Sequence, residues 1–349
     1  MTEHNPRGFA SDNYSGVHPE VLDAIARVNV GHVSSYGHDR YSAELDDVMR
    51  AQFGPTAKAF CVFNGTGANV TALQSLLTRW GAVIASSGAH INTDEGGAPE
   101  KIGGMKLLTA PTPTGKLTPD LVRSLAGGRL DEHTVHPQAL SLTESTEVGT
   151  LYTVDELAEL VELAHSLGLR VHVDGSRLAN AAAALDVPLR ALTTDVGVDI
   201  LSLGATKNGA LGAEAIVTLA PDLGDDLVFG RKFNMQLASK MRFLSAQLIA
   251  LYDGDLWRRN ATHANEMAAR LRAGVEDIPG VEFAYPTQAN GVFASLPEGV
   301  ADEVRAHWFF YDWDTARREV RWMTSFDTTT DDVDDFVRLV REACERRSA

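Results

Sequence analysis

The segment Asp199-Ile-Leu-Ser-Leu-Gly-Ala-Thr-Lys-Asn-Gly-Ala210 predicts a buried strand that ends in a tight turn. Its apolar half ends at Leu203, and the turn presents one lysine, Lys207, beside Thr206. Burying an ammonium group at the end of a core strand costs free energy, so such a lysine usually reacts or binds an anion. This segment alone leaves open the other interpretation, a lysine that simply extends from the turn into solvent.

A second strand, Arg170-Val-His-Val-Asp-Gly-Ser-Arg177, ends in an acid, Asp174. A lysine and an acid at the ends of two strands suit pyridoxal 5'-phosphate (PLP). The amine of Lys207 would form a Schiff base, and the carboxylate would pair with the protonated pyridine nitrogen. Asp174 could instead cap a helix predicted from Leu178 to Ala184, but that alternative does not explain the lysine.

A glycine-containing turn, Asn64-Gly-Thr-Gly-Ala-Asn69, follows the predicted strand Lys58–Phe63 and precedes a helix predicted from Val70 to Arg79. A strand, a glycine turn and a helix place free backbone N–H groups at a helix N-terminus, where phosphate binds well. The same residues are also compatible with an ordinary turn or a degenerate dinucleotide-binding loop.

His90 lies just past the end of the predicted strand Ala82–Ser86, where the sites of α/β proteins cluster. An isolated histidine is more often structural. Asp94 and Glu95 follow it, but the spacing matches no zinc pattern, so we expect no metal.

Strand and helix patterns alternate up to about Leu223, which predicts a doubly wound, mostly parallel sheet with helices on both faces. The strand-end residues Thr66, His90, Asp174 and Lys207 would then meet at one edge of this sheet. Two long helices are predicted next, Phe233–Tyr252 and Trp257–Val275, and then a smaller α+β region. We predict a large domain over residues 1–255 and a small C-terminal domain over 256–349.

The composition indicates an ordinary globular protein: 349 residues, 44% hydrophobic, with a formal net charge of −16. The chain has no Lys/Arg-rich run, so a nucleic-acid partner is not expected. Two cysteines, Cys61 and Cys344, are too few for a disulfide framework. The N-terminus lacks the apolar core of a signal peptide, and no apolar run could span a bilayer. We therefore expect a cytoplasmic protein without a membrane partner.

Taken together, the motifs resemble the low-specificity L-threonine aldolases, a PLP-dependent family of the β-eliminating lyase superfamily with fold type I, the aspartate-aminotransferase fold. The matching stretches span nearly the whole chain and keep their order: Ser11-Asp-Asn-Tyr-Ser-Gly16, Asn64-Gly-Thr-Gly-Ala-Asn69, Ala89-His-Ile-Asn-Thr-Asp-Glu95, Val173-Asp-Gly-Ser-Arg177, Ala205-Thr-Lys-Asn-Gly209, Leu237-Ala-Ser-Lys-Met-Arg-Phe243 and Val320-Arg-Trp-Met-Thr324.

The resemblance implies cofactor-binding roles for a first group of residues. Lys207 would hold the cofactor covalently, Asp174 would contact the pyridine nitrogen, and His90 would stack on the ring. The remaining cofactor contacts implied are Gly65, Thr66, Gly67, Arg177, Thr206 and Lys240, the last at a position where many members use an arginine that reaches a neighbour's phosphate.

A second group would bind the substrate. Ser11, Arg177 and Arg321 resemble the residues that hold the amino acid's carboxylate, as a guanidinium can do with two hydrogen bonds. By pattern alone, an arginine in a strand such as Arg321 more often faces solvent. Tyr36 resembles a residue lent by a neighbouring subunit, which implies a homo-oligomer, a dimer or tetramer, with its site at the dimer interface.

The activity implied is retro-aldol cleavage of L-threonine and L-allo-threonine to glycine and an aldehyde, with Lys207, Asp174 and His90 catalytic. Two alternatives remain. The same cofactor could serve a phenylserine aldolase or another β-eliminating lyase, or the glycine turn could belong to a nucleotide-binding dehydrogenase in which Lys207 has no role.

Overall fold

The computed structural model describes residues 7–348. Residues 1–6 lie outside the described residues. The prediction that the N-terminus lacks the apolar core of a signal peptide falls partly on them. None of the helices within residues 7–348 is long and apolar enough to cross a membrane.

Eleven strands of the described chain form two sheets. The strands of the large sheet are β1 Lys58–Val62, β2 Gly81–Ser86, β3 Lys106–Ala110, β4 His136–Thr143, β5 Arg170–Gly175, β6 Ile200–Leu203 and β7 Glu214–Thr218. The strands of the small sheet are β8 Glu282–Phe283, β9 Gly291–Ser295, β10 Tyr311–Asp314 and β11 Glu319–Met323.

The large sheet has the order β1-β7-β6-β5-β4-β2-β3. All neighbours pair in parallel except β7, which runs antiparallel to both β6 and β1. The small sheet is antiparallel, in the order β10-β11-β9-β8. The prediction of a mostly parallel α/β sheet with a smaller α+β part is confirmed. Parallel strands that are covered on both faces explain the nearly continuous apolar strand sequences.

Helices cover the sheets, and side chains cap the starts of several of them. They are α1 Pro19–Val28, α2 Arg40–Phe53, α3 Gly65–Ser75, α4 His90–Thr93, α5 Ala98–Lys101, α6 Pro119–Ala126, α7 Val154–Ser166, α8 Leu178–Ala184, α9 Asp225–Phe233, α10 Arg242–Tyr252, α11 Leu256–Val275, α12 Val300–Arg305 and α13 Thr330–Ser348. The capped helices include α1, α2, α3, α6 and α7. Thr153 and Glu156 form the predicted capping box of α7.

The prediction of one helix over Phe233–Tyr252 is wrong, because the segment between α9 and α10 is not helical. Asn234 is buried, and its side-chain amide donates to Thr71 Oγ1 at 3.0 Å and to Gln74 Oε1 at 2.9 Å. Met235 then takes a positive φ of 61°. A buried amide that bonds to another helix fixes the chain direction here, and helical periodicity does not reveal such a contact.

Two hydrophobic clusters meet along α11. Its first residues, Leu256 and Trp257, pack in the core under the large sheet, whereas Met267 and Leu271 pack in the core of the small sheet. Phe9, near the start of the described chain, also packs in the small core. The boundary near residue 255 stays a prediction.

Candidate active site

A cavity of about 230 Å³ lies at the carboxyl edge of the parallel strands. Its walls include Thr66, His90, Ser176 and Lys207, which follow β1, β2, β5 and β6. The predicted meeting of these strand ends is therefore observed. A larger cavity of about 550 Å³ lies beside Glu282 and Arg317 of the small sheet, but none of the predicted site residues lines it.

Lys207 sits in a single 3-10 turn, Thr206–Asn208, which Glu214 holds in place. One Glu214 oxygen accepts the Ala205 N–H at 2.8 Å, and the other accepts the Thr206 N–H at 3.3 Å. Burial and the nearby Arg177 lower the pKa of the Lys207 amine, against the pull of the surrounding carboxylates. A lowered pKa keeps more of the amine neutral and nucleophilic. Sequence analysis missed Glu214, because its partners are backbone groups eight and nine residues away.

Asp174 is buried under the cavity at the end of β5. Its Oδ1 accepts from Ser176 Oγ at 2.8 Å, and its Oδ2 accepts from Asn69 Nδ2 at 2.8 Å. Burial acts to raise the pKa of Asp174, but Lys207 and these hydrogen bonds outweigh it and lower the pKa. The capping alternative is wrong, since the residue that precedes α8 is Arg177 and α8 has no side-chain cap.

The glycine turn lies within the first turn of α3, which begins at Gly65 rather than at Val70. Asn64 caps the helix through a 2.8 Å bond from the Gly67 N–H to its Oδ1. The first N–H groups of a helix have no partner inside it, so those of Gly65 and Thr66 are placed at the cavity wall for an anion. Gly67 instead faces Gln236, whose amide lies 2.3 Å from the position of an added Cβ.

His90 is held from two sides by carboxylates. Its main-chain N–H donates to Glu147 Oε1 at 2.8 Å, and its Nδ1 lies 3.0 Å from Glu95 Oε1. The hydrogen bond to Glu95 raises the pKa of His90. In residues 7–348 no group of three or more His, Cys, Asp or Glu side chains is placed to hold a metal ion.

Arg177 pairs with a buried acid, Asp12, which belongs to the polar, turn-rich opening stretch and to which sequence analysis assigned no specific role. The two form a double hydrogen bond, 2.7 Å from Nε and 2.9 Å from Nη2. Burial acts to raise the pKa of Asp12, but the guanidinium outweighs it and lowers the pKa to about 2. Ser11, next to Asp12, accepts the Asn13 N–H instead of binding either arginine. The only signal for Asp12 was its place in the polar stretch before Asn13.

Arg321 points inward from β11 and does not face solvent. Its Nη2 donates to the Ala10 carbonyl at 3.2 Å, and its Nε is buried with no hydrogen-bond partner among residues 7–348. Burial and the positive charge of Arg177 lower its pKa, so the two guanidinium groups are close. A pair of close cations, only one of which has a carboxylate partner, is suited to bind an anion.

Tyr36 and Lys240 do not line the cavity of Lys207. Tyr36 is 45% exposed, with a φ of 60°, and it lines a different cavity together with Arg231. Its N–H donates to the Ser239 carbonyl at 3.0 Å, so the exposed Lys240 lies on the same surface.

Comparison with known proteins decides the family. The model of the beta-eliminating lyase family matches residues 8–297. The chain belongs to this family. Within it, the chain is 43% identical over 343 residues to the low specificity L-threonine aldolase of Pseudomonas aeruginosa, with 98% of this chain and 99% of the relative covered.

Two further beta-eliminating lyase relatives agree with this placement. A low specificity L-threonine aldolase of a Pseudomonas species is 43% identical over 94% of this chain and 95% of its own. The solved structure of Leishmania major threonine aldolase has a TM-score of 0.90 and 31% identity, with 99% of this chain and 100% of that chain covered. The threonine aldolases of this family are PLP-dependent lyases, which overturns the alternative of a nucleotide-binding dehydrogenase.

Proposed function

We propose that this chain binds PLP and cleaves L-threonine and L-allo-threonine to glycine and acetaldehyde. The observation that carries the proposal is the arrangement of Lys207 and Asp174 at the ends of two adjacent parallel strands: Lys207 lines the cavity, and Asp174 is buried beneath it, hydrogen-bonded to the lining residues Asn69 and Ser176. The names of the relatives support the substrate class. A phenylserine aldolase or another PLP-dependent β-eliminating lyase remains the alternative, because the same residues would serve a bulkier β-substituent.

The residues around this cavity fit PLP. An amine of lowered pKa can react with its aldehyde, and a buried carboxylate can pair with its ring nitrogen. The start of α3 suits its phosphate. Gly204 lets the two reactive loops approach, because a Cβ at Gly204 would lie 2.4 Å from the Ser176 carbonyl oxygen. Bound PLP supplies a sink for the electron pair that is left on Cα when the Cα–Cβ bond breaks.

The two arginines bind and orient the amino acid. Arg321 and Arg177 hold its carboxylate, and Asp12 fixes the plane of Arg177 through two hydrogen bonds. Holding the carboxylate at one end of the substrate restricts the orientation of its Cα–Cβ bond in the site, and orientation of this kind lowers the barrier to cleavage.

His90 is the residue that we assign as proton acceptor for the β-hydroxyl group. It lines the cavity and its imidazole is 39% exposed, so a substrate or a bridging water can reach it. An imidazole is a suitable base near neutral pH. Removing the hydroxyl proton lets the carbonyl of the aldehyde form as the carbon–carbon bond breaks.

The proposal is tested by assaying glycine and aldehyde from L-threonine, L-allo-threonine and L-phenylserine. We expect both products from the two threonine isomers, and a yellow protein that borohydride bleaches with label on Lys207. Lys207→Ala should lose the colour and nearly all turnover. Products from phenylserine alone would favour the alternative, and full activity of Lys207→Ala would refute the role of the lysine.

A further inference from the structure

A buried hydrogen-bonded chain connects His90 to Asp174, the two groups that we place on the cofactor ring. His90 Nδ1 lies 3.0 Å from Glu95 Oε1, Asn69 Nδ2 lies 2.8 Å from the same oxygen, and Asn69 Nδ2 also lies 2.8 Å from Asp174 Oδ2. The Glu95 side chain has no exposed surface, and Asn69 is 1% exposed. One largely buried amide at the cavity wall therefore contacts both carboxylates.

The donor inventory of these side chains fixes where the protons are. Carboxylate oxygens repel an amide oxygen, so the NH₂ group of Asn69 must face both acids and donate one hydrogen to each. Glu95 Oε1 then accepts from Asn69 and can also accept from His90, which places the imidazole proton on Nδ1. Nε2 is left with its lone pair whenever the ring is neutral.

The charged groups around His90 agree with this arrangement. Glu95 and Asp174 favour the protonated ring, Lys207 opposes it, and Glu147 holds the main-chain N–H of His90. Burial raises the pKa of Glu95, and the hydrogen bonds from His90 and Asn69 act against that rise. If Asn69 were lost, two buried carboxylates would each lose a donor, which is costly in a low-dielectric interior.

We propose that Glu95 and Asn69 are positioning residues. Glu95 keeps the proton on Nδ1 of His90, so that Nε2 is the acceptor of the substrate's proton. Asn69 ties that carboxylate to Asp174, so the base and the ring-nitrogen partner are oriented by one amide. This inference rests on the proposed function for its catalytic consequence, but the hydrogen-bonded chain itself can be tested without it.

The first test measures the titration of His90 in the cofactor-free protein by NMR of ¹³C-labelled histidine rings, with the signal assigned by a His90→Gln variant. Glu95→Gln keeps the shape and an accepting oxygen but removes the charge. We expect the His90 midpoint to fall, because Glu95 acts to raise it. An unchanged midpoint would overturn the role of Glu95, whatever the enzyme's activity.

The second test uses Asn69→Leu, which is close in size and donates nothing. We expect kcat to fall roughly 10- to 100-fold with little change in KM, because Arg177 and Arg321 still hold the carboxylate. The affinity for PLP and the midpoint of the His90 titration should both change, since Asn69 contacts both Asp174 and Glu95.

The matched control is Thr71→Val on the same helix. Thr71 is buried and accepts a 3.0 Å hydrogen bond from Asn234, away from both acids. The Thr71→Val substitution should lower thermal stability but leave the His90 titration and kcat unchanged. If Asn69→Leu and Thr71→Val had equal effects on kcat, on the affinity for PLP and on the His90 titration, Asn69 would contribute only packing, and its positioning role would be wrong. If the His90 midpoint falls in Glu95→Gln as expected but the wild-type protein cleaves no β-hydroxy amino acid, the proposed function is refuted and the hydrogen-bonded chain is not.

Discussion

At the scale of single residues, Arg321 shows how burial gives a side chain a function that its sequence context hides. Its strand pattern predicts a solvent-facing side chain, yet the guanidinium lies inside, 5.3 Å from the Trp313 ring centroid and close to Arg177. Among residues 7–348 it forms no ion pair within 4 Å, so a bound carboxylate would supply the missing charge.

Arg321→Lys should therefore lower kcat/KM about 10- to 100-fold, mainly through KM, because an ammonium cannot make the planar double hydrogen bond of a guanidinium. The measurement is steady-state cleavage of L-threonine. Arg317→Lys, on the same hairpin but 65% exposed and paired with Asp314, is the control and should leave kcat/KM unchanged. Equal kcat/KM in wild type and Arg321→Lys would remove Arg321 from the site.

His172 carries a second residue-scale prediction. It is fully buried on β5, with Nδ1 2.9 Å from Ser141 Oγ and Nε2 2.9 Å from Ser202 Oγ, so it links three neighbouring strands. Burial lowers its pKa to about 4, with the Asp174 charge opposing. When the pH is below 6.5, the ordinary pKa of histidine, His172 is protonated in the unfolded chain but stays neutral in the folded protein until the pH approaches 4. His172 therefore removes stability as pH falls from 6.5 toward 4.

His172→Gln should show a smaller loss of unfolding free energy than wild type between pH 7 and pH 5, by on the order of 2 kcal/mol. Urea denaturation of the cofactor-free protein at both pH values measures this difference. The control, His133→Gln, changes a histidine whose side chain is 68% exposed, and it should match wild type. The same pH dependence in His172→Gln and wild type would mean that His172 is protonated in the folded state.

At the scale of elements, the ends of β5 and β6 bring the acid and the lysine together. Gly175 pairs with Leu203 in register, and the next residue of the second strand, Gly204, packs directly against the Ser176 backbone. A Cβ at Gly204 would lie 2.6 Å from Ser176 Cα. Because the contact is with backbone atoms, no side-chain rotation can relieve it.

Gly204→Ala should push these two loops apart, lower stability by roughly 1–3 kcal/mol, and weaken PLP binding. Thermal denaturation and titration of the cofactor-free protein with PLP measure the two effects. Gly254→Ala is the control, because no atom lies within 4 Å of an added Cβ there, and it should bind PLP normally. Normal PLP affinity in Gly204→Ala would show that the close approach does not set the site.

At the scale of the whole molecule, a surface next to Tyr36 carries several large apolar side chains that are exposed to solvent. Phe229, Phe233 and Met235 are each more than 70% exposed, and Lys232 lies over the Tyr36 ring at 5.8 Å. Exposed apolar patches commonly mark protein contacts. This surface is consistent with the predicted homo-oligomer, in which Tyr36 and Lys240 act on a neighbour's site.

Complementation tests the sharing of sites. Co-expression of differently tagged Lys207→Ala and Tyr36→Ala chains should restore about a quarter of wild-type turnover if a symmetric dimer shares its sites, since one of the two sites in a mixed dimer is intact. Lys207→Ala combined with Arg321→Ala is the control, because both residues act within one subunit and no mixed site is complete. No recovery in the Lys207/Tyr36 pair would place Tyr36 outside the neighbour's site.

The sequence by itself determined the alternation of strands and helices, because the apolar patterns are local. It also determined the strand-end placement of Lys207, Asp174 and His90, because parallel strands bring their carboxyl ends to one edge. Only the tertiary structure decided the partners: Asp12 on Arg177, Glu214 on the lysine turn, and Asn69 between two acids. These contacts join residues from 8 to 165 positions apart, and no local pattern encodes a hydrogen bond or a burial that arises only when distant elements pack.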